Sequence, residues 1–581
     1  MPYETIRKPA IGSMPFVPNL TDYAAARRIF RWEDAVEELD RLPGGGLNIA
    51  HECIDRHVST SRRNKTALLW EGLDGRTETY SFNDLKQLSD RFAQVLRGLG
   101  VEKGQRVFVF LDRIPELYVS LFGALKAGAV VGPLFSAFGP DAIRDRLADS
   151  GAVALVTSPA LIDRVEAIRS ETPDLRWIIL VDREGTTRTR PSDYISYEDA
   201  MKATRGPFVT ELTGPEDFSI MHYTSGTTGK PKGAVHAHQA IIGHYVTARY
   251  VLDLQEDDIY WCTADPGWVT GTSYGMFGPW SNGATSVVIE AGFNAERWYS
   301  TIQKYGVTLW YTAPTAIRML MKAGESVAAR HDLSSLRHIC SVGEPLNPEA
   351  VMWGLTAFNQ AIHDNWWQTE TGCIQIANYP IQDVKPGSMG RPIPGTEAAI
   401  VDDEGRPLAP GEEGNLALRA GWPSMFRTYW NKKDLYDSRF HNGWYFSGDR
   451  ARVDEDGYFW FVGRTDDVIN TAGHLVGPFE VESALVEHPA IAEAGVIGVP
   501  DEERMEIIKA FVSLKDGFQR SERLEKEIKE FVRKRLAAHA YPREIEFLPS
   551  LPKTRSGKIM RRLLKARELG LPEGDTSTLE D

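Results

Sequence analysis

Short β-rich runs alternate with helix-length segments along most of this chain, and no other sequence feature constrains the fold as strongly. The run 107–112 is followed by an apolar-periodic stretch to Leu125 and then by the run 129–134. Further runs of the same kind lie at 153–158, 177–182, 285–290, 308–313 and 338–343. Strands that alternate with helices usually pair in parallel, and the helices cover the sheet faces. The alternation therefore predicts an α/β architecture with largely parallel sheets.

The pattern changes towards the C-terminus. Between Gly387 and Gly463, short strands punctuated by Gly and Pro, such as 398–405 and 414–420, predict a smaller antiparallel subdomain. After Gly463, two helical segments and three strand-like runs predict a small α+β unit. We place the boundary at Asp466, which divides the chain into a large domain, 1–465, and a small domain, 466–581.

Charge and cysteine content exclude several classes of protein. Lys and Arg total 66 against 80 Asp and Glu, and a net charge of −14 disfavours nucleic acid and anionic membranes as partners. The four cysteines contain no C-x-x-C pair, which fits a reducing compartment. No segment approaches the ~20 uncharged residues that span a bilayer. We therefore expect a cytoplasmic protein.

The segment Tyr223–Gly233 has the composition of a phosphate-binding loop. Seven of its eleven residues are Gly, Ser or Thr and two are Lys. Glycines allow backbone N–H groups to approach a phosphate, hydroxyls donate hydrogen bonds, and lysine supplies countercharge. The G-x-x-x-x-G-K-[ST] loop is excluded because Pro231 stands where that motif needs a hydroxyl. A flexible surface turn remains the alternative on composition alone.

Four further motifs follow this loop: DNWWQTETG at 364–372, SGD at 447–449, GRTDD at 463–467 and PKTRSGK at 552–558. In this order the five motifs resemble the acyl-adenylate-forming enzyme superfamily, and the likeness is closest to its acetyl-CoA synthetases. The resemblance extends from about residue 60 to 568. It implies two parallel sheets and an antiparallel subdomain in the large domain, and a small mobile domain that rotates about Asp466.

The resemblance also implies a reaction. The carboxylate of acetate, or of a similar short acid, attacks the α-phosphorus of ATP, pyrophosphate leaves, and the acyl-AMP then passes its acyl group to the thiol of coenzyme A. Mg²⁺ accompanies the nucleotide. Propionate or a small branched or hydroxylated acid remains an alternative substrate. The resemblance also makes Lys558 a possible target of a protein acetyltransferase or deacetylase. It leaves the oligomeric state open.

Most of the residues that the resemblance assigns bind the nucleotide. They are Thr224, Ser225, Gly226, Thr227, Thr228, Lys232, Gly343, Glu344, Pro345, Asp364, Asn365, Trp366, Trp367, Gln368, Thr369, Asp449 and Arg464. Trp366 is expected against the purine and Asp449 on the ribose hydroxyls, although S-G-D is also ordinary turn chemistry.

The predicted catalytic residues are Lys558, Glu370 and Thr224. In the resemblance, Lys558 reaches the carboxylate and the α-phosphate and stabilises charge as pentavalent phosphorus forms. Glu370 is the expected carboxylate on the magnesium side, because Mg²⁺ prefers hard oxygen ligands. A solvated surface glutamate is the alternative for Glu370.

The acyl pocket is assigned to Val269, Thr270, Val342 and Trp367. The Trp367 indole is expected to form its floor and to exclude acids beyond about three or four carbons, because overpacking costs 1–3 kcal/mol. A core tryptophan is the competing interpretation.

Coenzyme A contacts are assigned to Thr270, Asn294, Ala472, Gly473 and Arg533. Leu475 departs from the resemblance, since the family commonly has arginine at this place. His488, with the backbone carbonyls of Val486 and Ile491, lies where relatives hold a structural metal. A helix-end histidine is the alternative there.

Two other functions are compatible with parts of the sequence. The segment Gly271–Gly275 matches the G-x-S-x-G elbow of serine hydrolases, with Ser273 as nucleophile, and requires a strand directly before Gly271. Pro266 and Gly267 disfavour that strand. A nucleotide sensor without catalysis is the second alternative, against which Lys558 argues.

Overall fold

The computed structural model describes residues 3–185, 194–224, 231–472, 474–501, 503–536, 540–554, 558–573, 576 and 579, without the side chain of Leu475. We call residues up to Thr465 the large part and those from Asp466 the C-terminal part. In the described ranges, none of the helices combines the length and apolar character that crossing a membrane demands.

The first sheet of the large part has nine described strands. In spatial order they are Arg391–Pro392, Ile376–Ala377, Ile362–Trp366, His338–Ser341, Leu309–Thr312, Ile259–Cys262, Thr285–Ile289, Thr66–Glu71 and Thr77–Ser81. Neighbours from Ile362–Trp366 to Thr66–Glu71 pair in parallel, and the outer strands pair antiparallel.

The second sheet has eight described strands. In spatial order they are Thr428–Tyr429, Lys232–Ala237, Phe218–Thr224, Val130–Leu134, Arg106–Phe110, Ala154–Thr157, Trp177–Leu180 and Tyr194–Ser196. Only the pairs made by Lys232–Ala237 are antiparallel. The seven strand-like runs of the sequence all became strands of these two sheets, which confirms the predicted parallel α/β architecture.

One apolar core joins the two sheets. It includes Leu68 and Trp70 from the first sheet and Val107 and Val131 from the second. Helix Pro115–Lys126 is buried along nearly its whole length because it packs into this core. The helices of the large part are Tyr23–Ile29, Trp32–Glu37, Arg56–Val58, Phe82–Gly98, Pro115–Lys126, Pro140–Ser150, Ile162–Glu166, Tyr197–Ala203, Ala240–Tyr250, Val269–Thr272, Gly278–Ser281, Ala295–Tyr305, Pro314–Ala323, Glu325–Ala328, Pro348–Phe358 and Lys433–Asp437.

The predicted antiparallel subdomain is also confirmed. Its strands are Ala398–Val401, Glu413–Arg419, Trp444–Val453, Phe440–His441 and Phe459–Arg464. Its pairs are antiparallel, and its inner face buries Ile400, Leu416 and Leu418.

The C-terminal part has the predicted α+β character. Its strands are Ile469–Thr471, His474–Val476, Ile491–Asp501, Met505–Leu514 and Glu544–Phe547, and its helices are Pro478–Val486, Glu522–Arg535 and Arg561–Glu568. Leu524, Ile528 and Val532 bury one face of the long helix in a core of their own. A separate core fits a unit that can move as a body.

Candidate active site

A cavity of about 1190 Å³ opens where several strands of the first sheet end. The loops after Ile259–Cys262, Leu309–Thr312, His338–Ser341 and Ile362–Trp366 all contribute to its wall. Ligands of parallel α/β sheets bind at the carboxyl ends of the strands, so this position agrees with the architecture. The C-terminal part closes one side of the cavity.

Most of the residues assigned from the sequence line this single cavity. They are Thr224, Lys232, Val269, Thr270, Val342, Gly343, Glu344, Pro345, Asp364, Asn365, Trp366, Trp367, Gln368, Thr369, Glu370, Asp449, Arg464 and Lys558. Ser225, Gly226, Thr227, Thr228 and Gly473 lie outside the described residues, as does the side chain of Leu475.

Asp449 organises one wall of the cavity. Its Oδ2 accepts hydrogen bonds from Trp366 Nε1 and from Gln368 Nε2, both at 2.9 Å. Its Oδ1 lies 3.4 Å from Nε of Arg464. Burial raises the pKa of the Asp449 carboxyl, although the Arg464 guanidinium favours its charged form. These bonds hold the Trp366 ring in one orientation beside a carboxylate, as expected of a nucleoside site.

A second group of polar side chains lies at the carboxyl end of the strand Phe218–Thr224. The buried hydroxyl of Thr224 has no hydrogen-bond partner among the described residues. Tyr429 donates its hydroxyl proton to Oε1 of Glu370 at 2.6 Å. The Lys232 ammonium lies 5.0 Å from the centre of the Tyr429 ring. A cation, an oxygen ligand and an unpaired hydroxyl together suit a phosphate chain with its metal.

Lys558 brings the C-terminal part into the same cavity. Its backbone closes a turn, since its N–H donates to Oγ1 of Thr554 at 3.0 Å and its carbonyl accepts from the Thr554 N–H at 2.8 Å. Loss of hydration in the cleft and the nearby Arg464 and Arg561 lower the pKa of the Lys558 amine, while Glu344 raises it. The side chain still reaches water in the open cavity, which limits this effect.

The assigned acyl pocket lies among aromatic side chains. The ring of Tyr274 meets Trp367 edge-on at 5.1 Å between ring centres. Val342 and Trp367 are both largely buried. Gly271 permits a close approach of backbone, because a Cβ there would lie 2.1 Å from the carbonyl oxygen of Asp265. Aromatic rings and closely packed backbone therefore surround the assigned pocket.

Three residues assigned to coenzyme A do not line the cavity in this arrangement. Asn294 caps helix Ala295–Tyr305 by accepting a hydrogen bond from Arg297 N. Ala472 lies in the turn between two strands with φ 52°, and the Arg533 guanidinium stacks on the Tyr541 ring at 5.8 Å. Their roles remain predictions.

The assigned structural metal site has only one side-chain candidate. His488 follows helix Pro478–Val486, accepts a hydrogen bond from Ala490 N through Nδ1, and lies 3.8 Å from Glu527 through Nε2. Within the described ranges, no cluster of three or more His, Cys, Asp or Glu could hold a metal ion.

The serine hydrolase alternative is wrong. Residues Val269–Thr272 form a helical turn and Ser273–Phe277 continue it, so no strand precedes Gly271. Ser273 is buried inside this helical segment. A nucleophile elbow needs an exposed serine on a sharp strand-to-helix turn.

Sequence reasoning missed several residues that line the cavity. Arg439, Arg561, Arg113 and Tyr311 are among them. Tyr311 lies near the carboxyl end of the predicted strand 308–313, so the rule that ligands gather at strand ends could have found it. The other three belong to no motif, and only the fold brings them to the cavity.

The fold is that of an adenylate-forming enzyme, and Lys558 of the C-terminal part lines the same cavity as the residues assigned to the nucleotide. The chain matches the model of the AMP-binding enzyme over residues 54–430 and that of the AMP-binding enzyme C-terminal domain over residues 480–558. The chain belongs to the AMP-binding enzyme family, as its motifs predicted.

Two curated relatives are acetyl-coenzyme A synthetases. That of Bacillus subtilis is 55% identical over 97% of this chain and 98% of the relative. That of Methanothrix thermoacetophila is 43% identical over 92% of this chain and 85% of the relative.

Two solved structures share the fold. Brucella canis acyl-CoA synthetase has a TM-score of 0.75 and 37% identity, covering 95% of this chain and 99% of that chain. The anthranilate CoA ligase AuaEII, solved with anthranoyl-AMP, has a TM-score of 0.83 and 32% identity, covering 93% and 99%.

Proposed function

We propose that this chain joins acetate to coenzyme A at the expense of ATP, with release of AMP and pyrophosphate. One observation carries the proposal: Lys558 of the C-terminal part lines one cavity together with the residues assigned to the nucleotide and to the acyl group. The similarity to acetyl-coenzyme A synthetases over nearly the whole chain supports the same activity.

In the first half-reaction a carboxylate oxygen of acetate attacks the α-phosphorus of ATP, and pyrophosphate leaves. Trp366 and Asp449 hold the nucleoside, and the acetate methyl group enters the pocket over Trp367. Lys558 neutralises the negative charge that builds on the α-phosphate oxygens. The product is acetyl-AMP.

Magnesium is part of the proposal. Mg²⁺ usually keeps few protein ligands and binds through one or two carboxylates together with substrate phosphates. The Glu370 carboxylate, fixed by the Tyr429 hydroxyl, and the Thr224 hydroxyl, which has no partner among the described residues, fit this requirement. Bound there, the ion would neutralise phosphate charge.

In the second half-reaction the thiol sulfur of coenzyme A attacks the acetyl carbonyl and AMP leaves. We place residues 1–465 and 466–581 in two domains that turn relative to each other about Asp466 between the steps. The backbone supports this position of the hinge. The Thr465 N–H donates to the Gly448 carbonyl at 2.9 Å, so the antiparallel sheet of the large part holds the chain up to the residue before Asp466. Ala472, Gly473 and Arg533 would reach coenzyme A after this turn.

Lys558 is also the proposed target of a protein acetyltransferase and deacetylase in the cytoplasm. Its side chain is exposed to water, and acetylation would remove the charge that the first step needs.

A panel of acids with two to eight carbons tests the proposed reaction. We expect AMP release that depends on both acid and coenzyme A, with acetate giving the highest kcat/KM. A higher kcat/KM for propionate or a branched acid would show that acetate is not the preferred substrate. AMP release at the same rate with and without coenzyme A would contradict the proposed ligase reaction.

The contact between the two parts should depend on pH. Tyr3 donates to Oε1 of Glu349 at 3.0 Å in the large part, and Glu487 of the C-terminal part accepts two bonds from Arg535, at 2.6 and 2.8 Å. Burial and the nearby Glu487 raise the pKa of Glu349 to about 7. Separation of the parts removes the influence of Glu487 and lets this pKa fall towards its ordinary value of 4.5. The closed arrangement therefore holds a proton that the open one loses, and it weakens as pH rises from about 4.5 through 7.

We expect Glu349→Gln to abolish this dependence, because the amide cannot titrate. Fluorescence energy transfer between dyes on the two parts, recorded from pH 5 to 8, should show a falling closed fraction in the original chain and a flat profile in the variant. Glu397→Gln, at an exposed position, serves as the control. Equal slopes in all three proteins would exclude Glu349 as the titrating group.

A further inference from the structure

We propose that Tyr311 determines acid chain length by fixing the Trp367 indole. Tyr311 is a positioning residue in this proposal, which rests on the proposed function because it assumes that Trp367 forms the floor of the acyl pocket. Neither the motifs nor the pocket residues assigned from the sequence include it.

A chain of two hydrogen bonds passes through the Tyr311 hydroxyl. The Trp367 Nε1–H donates to Tyr311 Oη at 3.3 Å, and Tyr311 Oη–H donates to Asn365 Oδ1 at 2.9 Å. A hydroxyl has a single proton, and Tyr311 donates it to Asn365. The Tyr311 oxygen can therefore only accept the hydrogen bond from the indole N–H. The direction of both bonds is therefore fixed.

All three side chains of this hydrogen-bonded series are buried. Tyr311 is fully buried, and Trp367 and Asn365 are 9% and 4% exposed. An indole N–H in such surroundings needs an acceptor, since leaving a buried donor unpaired costs its full desolvation. A rotation of the Trp367 ring would break its bond to Tyr311, so the hydroxyl selects one ring orientation.

The surrounding aromatic rings keep Tyr311 itself in place. Tyr274 packs edge-on against both Tyr311 and Trp367, at 5.7 and 5.1 Å between ring centres. The Tyr274 hydroxyl lies 2.7 Å from Thr247 Oγ1 and accepts a hydrogen bond from Ile374 N at 2.8 Å. The acceptor of the indole is thus held by the large part and does not depend on the position of the C-terminal part.

A fixed floor excludes long acids, whereas a floor that can rotate admits them. Tyr311→Phe keeps the ring and its packing and removes only the acceptor. In this variant we expect kcat/KM for butyrate relative to acetate to rise about tenfold, at saturating ATP. Trp367→Phe removes the donor from the other end of the same bond and should raise the ratio as well.

Tyr299→Phe is the matched control. Tyr299 is also fully buried in the large part, but its hydroxyl has no hydrogen-bond partner among the described residues. Loss of that hydroxyl should leave the ratio unchanged. A general loosening of the large part would instead move the ratio in both variants.

A double-mutant cycle separates this inference from the proposed function. Tyr311→Phe should have no further effect on the ratio once Trp367→Gly has removed the indole. If Trp367→Gly alone leaves the ratio unchanged, Trp367 is not the floor and the proposed pocket is wrong. If Trp367→Gly raises the ratio but Tyr311→Phe does not, the pocket stands and the role of Tyr311 is refuted.

Discussion

Replacing Lys558 by alanine is expected to reduce acetyl-AMP formation by about 10²–10³-fold, because a preorganised charge aimed at the developing phosphorane is removed. Transfer of the acetyl group from supplied acetyl-AMP to coenzyme A should remain largely intact. The phosphorus chemistry is already complete in that intermediate, and in the proposed rotation the thioester step uses the other domain arrangement. Both half-reactions can be measured on the same purified protein.

Lys565→Ala is the matched control for this prediction. Lys565 lies in the same basic stretch, on helix Arg561–Glu568, and its ammonium is 3.6 Å from Glu506. Its loss should affect neither half-reaction. Equal loss of both half-reactions in Lys558→Ala would refute the rotating-domain account and assign a structural role to the lysine.

Trp367→Gly should extend the accepted acids towards hexanoate. In the proposed pocket the indole occupies the space into which a longer chain would extend, and forcing atoms into such a space costs about 1–3 kcal/mol. We expect kcat/KM for hexanoate relative to acetate to rise about 10- to 100-fold. The AMP-release assay measures both acids directly.

The KM for ATP should change little in this variant, because the Trp366 indole and Asp449 remain bonded to each other. A variant that still prefers acetate over hexanoate by the original factor would show that another side chain limits the pocket. A large loss with every acid would point to a collapsed cavity, which a parallel measurement of thermal unfolding detects.

The sheets could be predicted from the sequence because their strands are short, apolar and separated by helices. The run 308–313, for example, became the strand Leu309–Thr312, which pairs in parallel with His338–Ser341 from the predicted run 338–343. Part of the assigned nucleotide site also converged, since Gly343 to Pro345 and Trp367 to Thr369 follow parallel strands that end at one edge of the first sheet, whereas Asp449 lies within an antiparallel strand.

What the sequence did not contain was the packing around the motifs. The bonds from Tyr429 to Glu370 and from Tyr311 to Asn365 join residues more than fifty positions apart, and no local pattern encodes them. Arg561 likewise belongs to none of the motifs, yet it forms a bidentate ion pair with Glu482 at the wall of the cavity. Tertiary contacts of this kind have no periodicity.

The interleaved order of strands has a consequence for biosynthesis. Strand Thr66–Glu71 pairs with Thr285–Ile289, and the second sheet is encoded largely between them. A ribosome that adds about 5–20 residues per second needs roughly 10–40 s to produce the missing neighbour. During that interval the nascent strand presents an unpaired edge and an apolar face, so we expect chaperones to engage the chain before residue 285 has emerged.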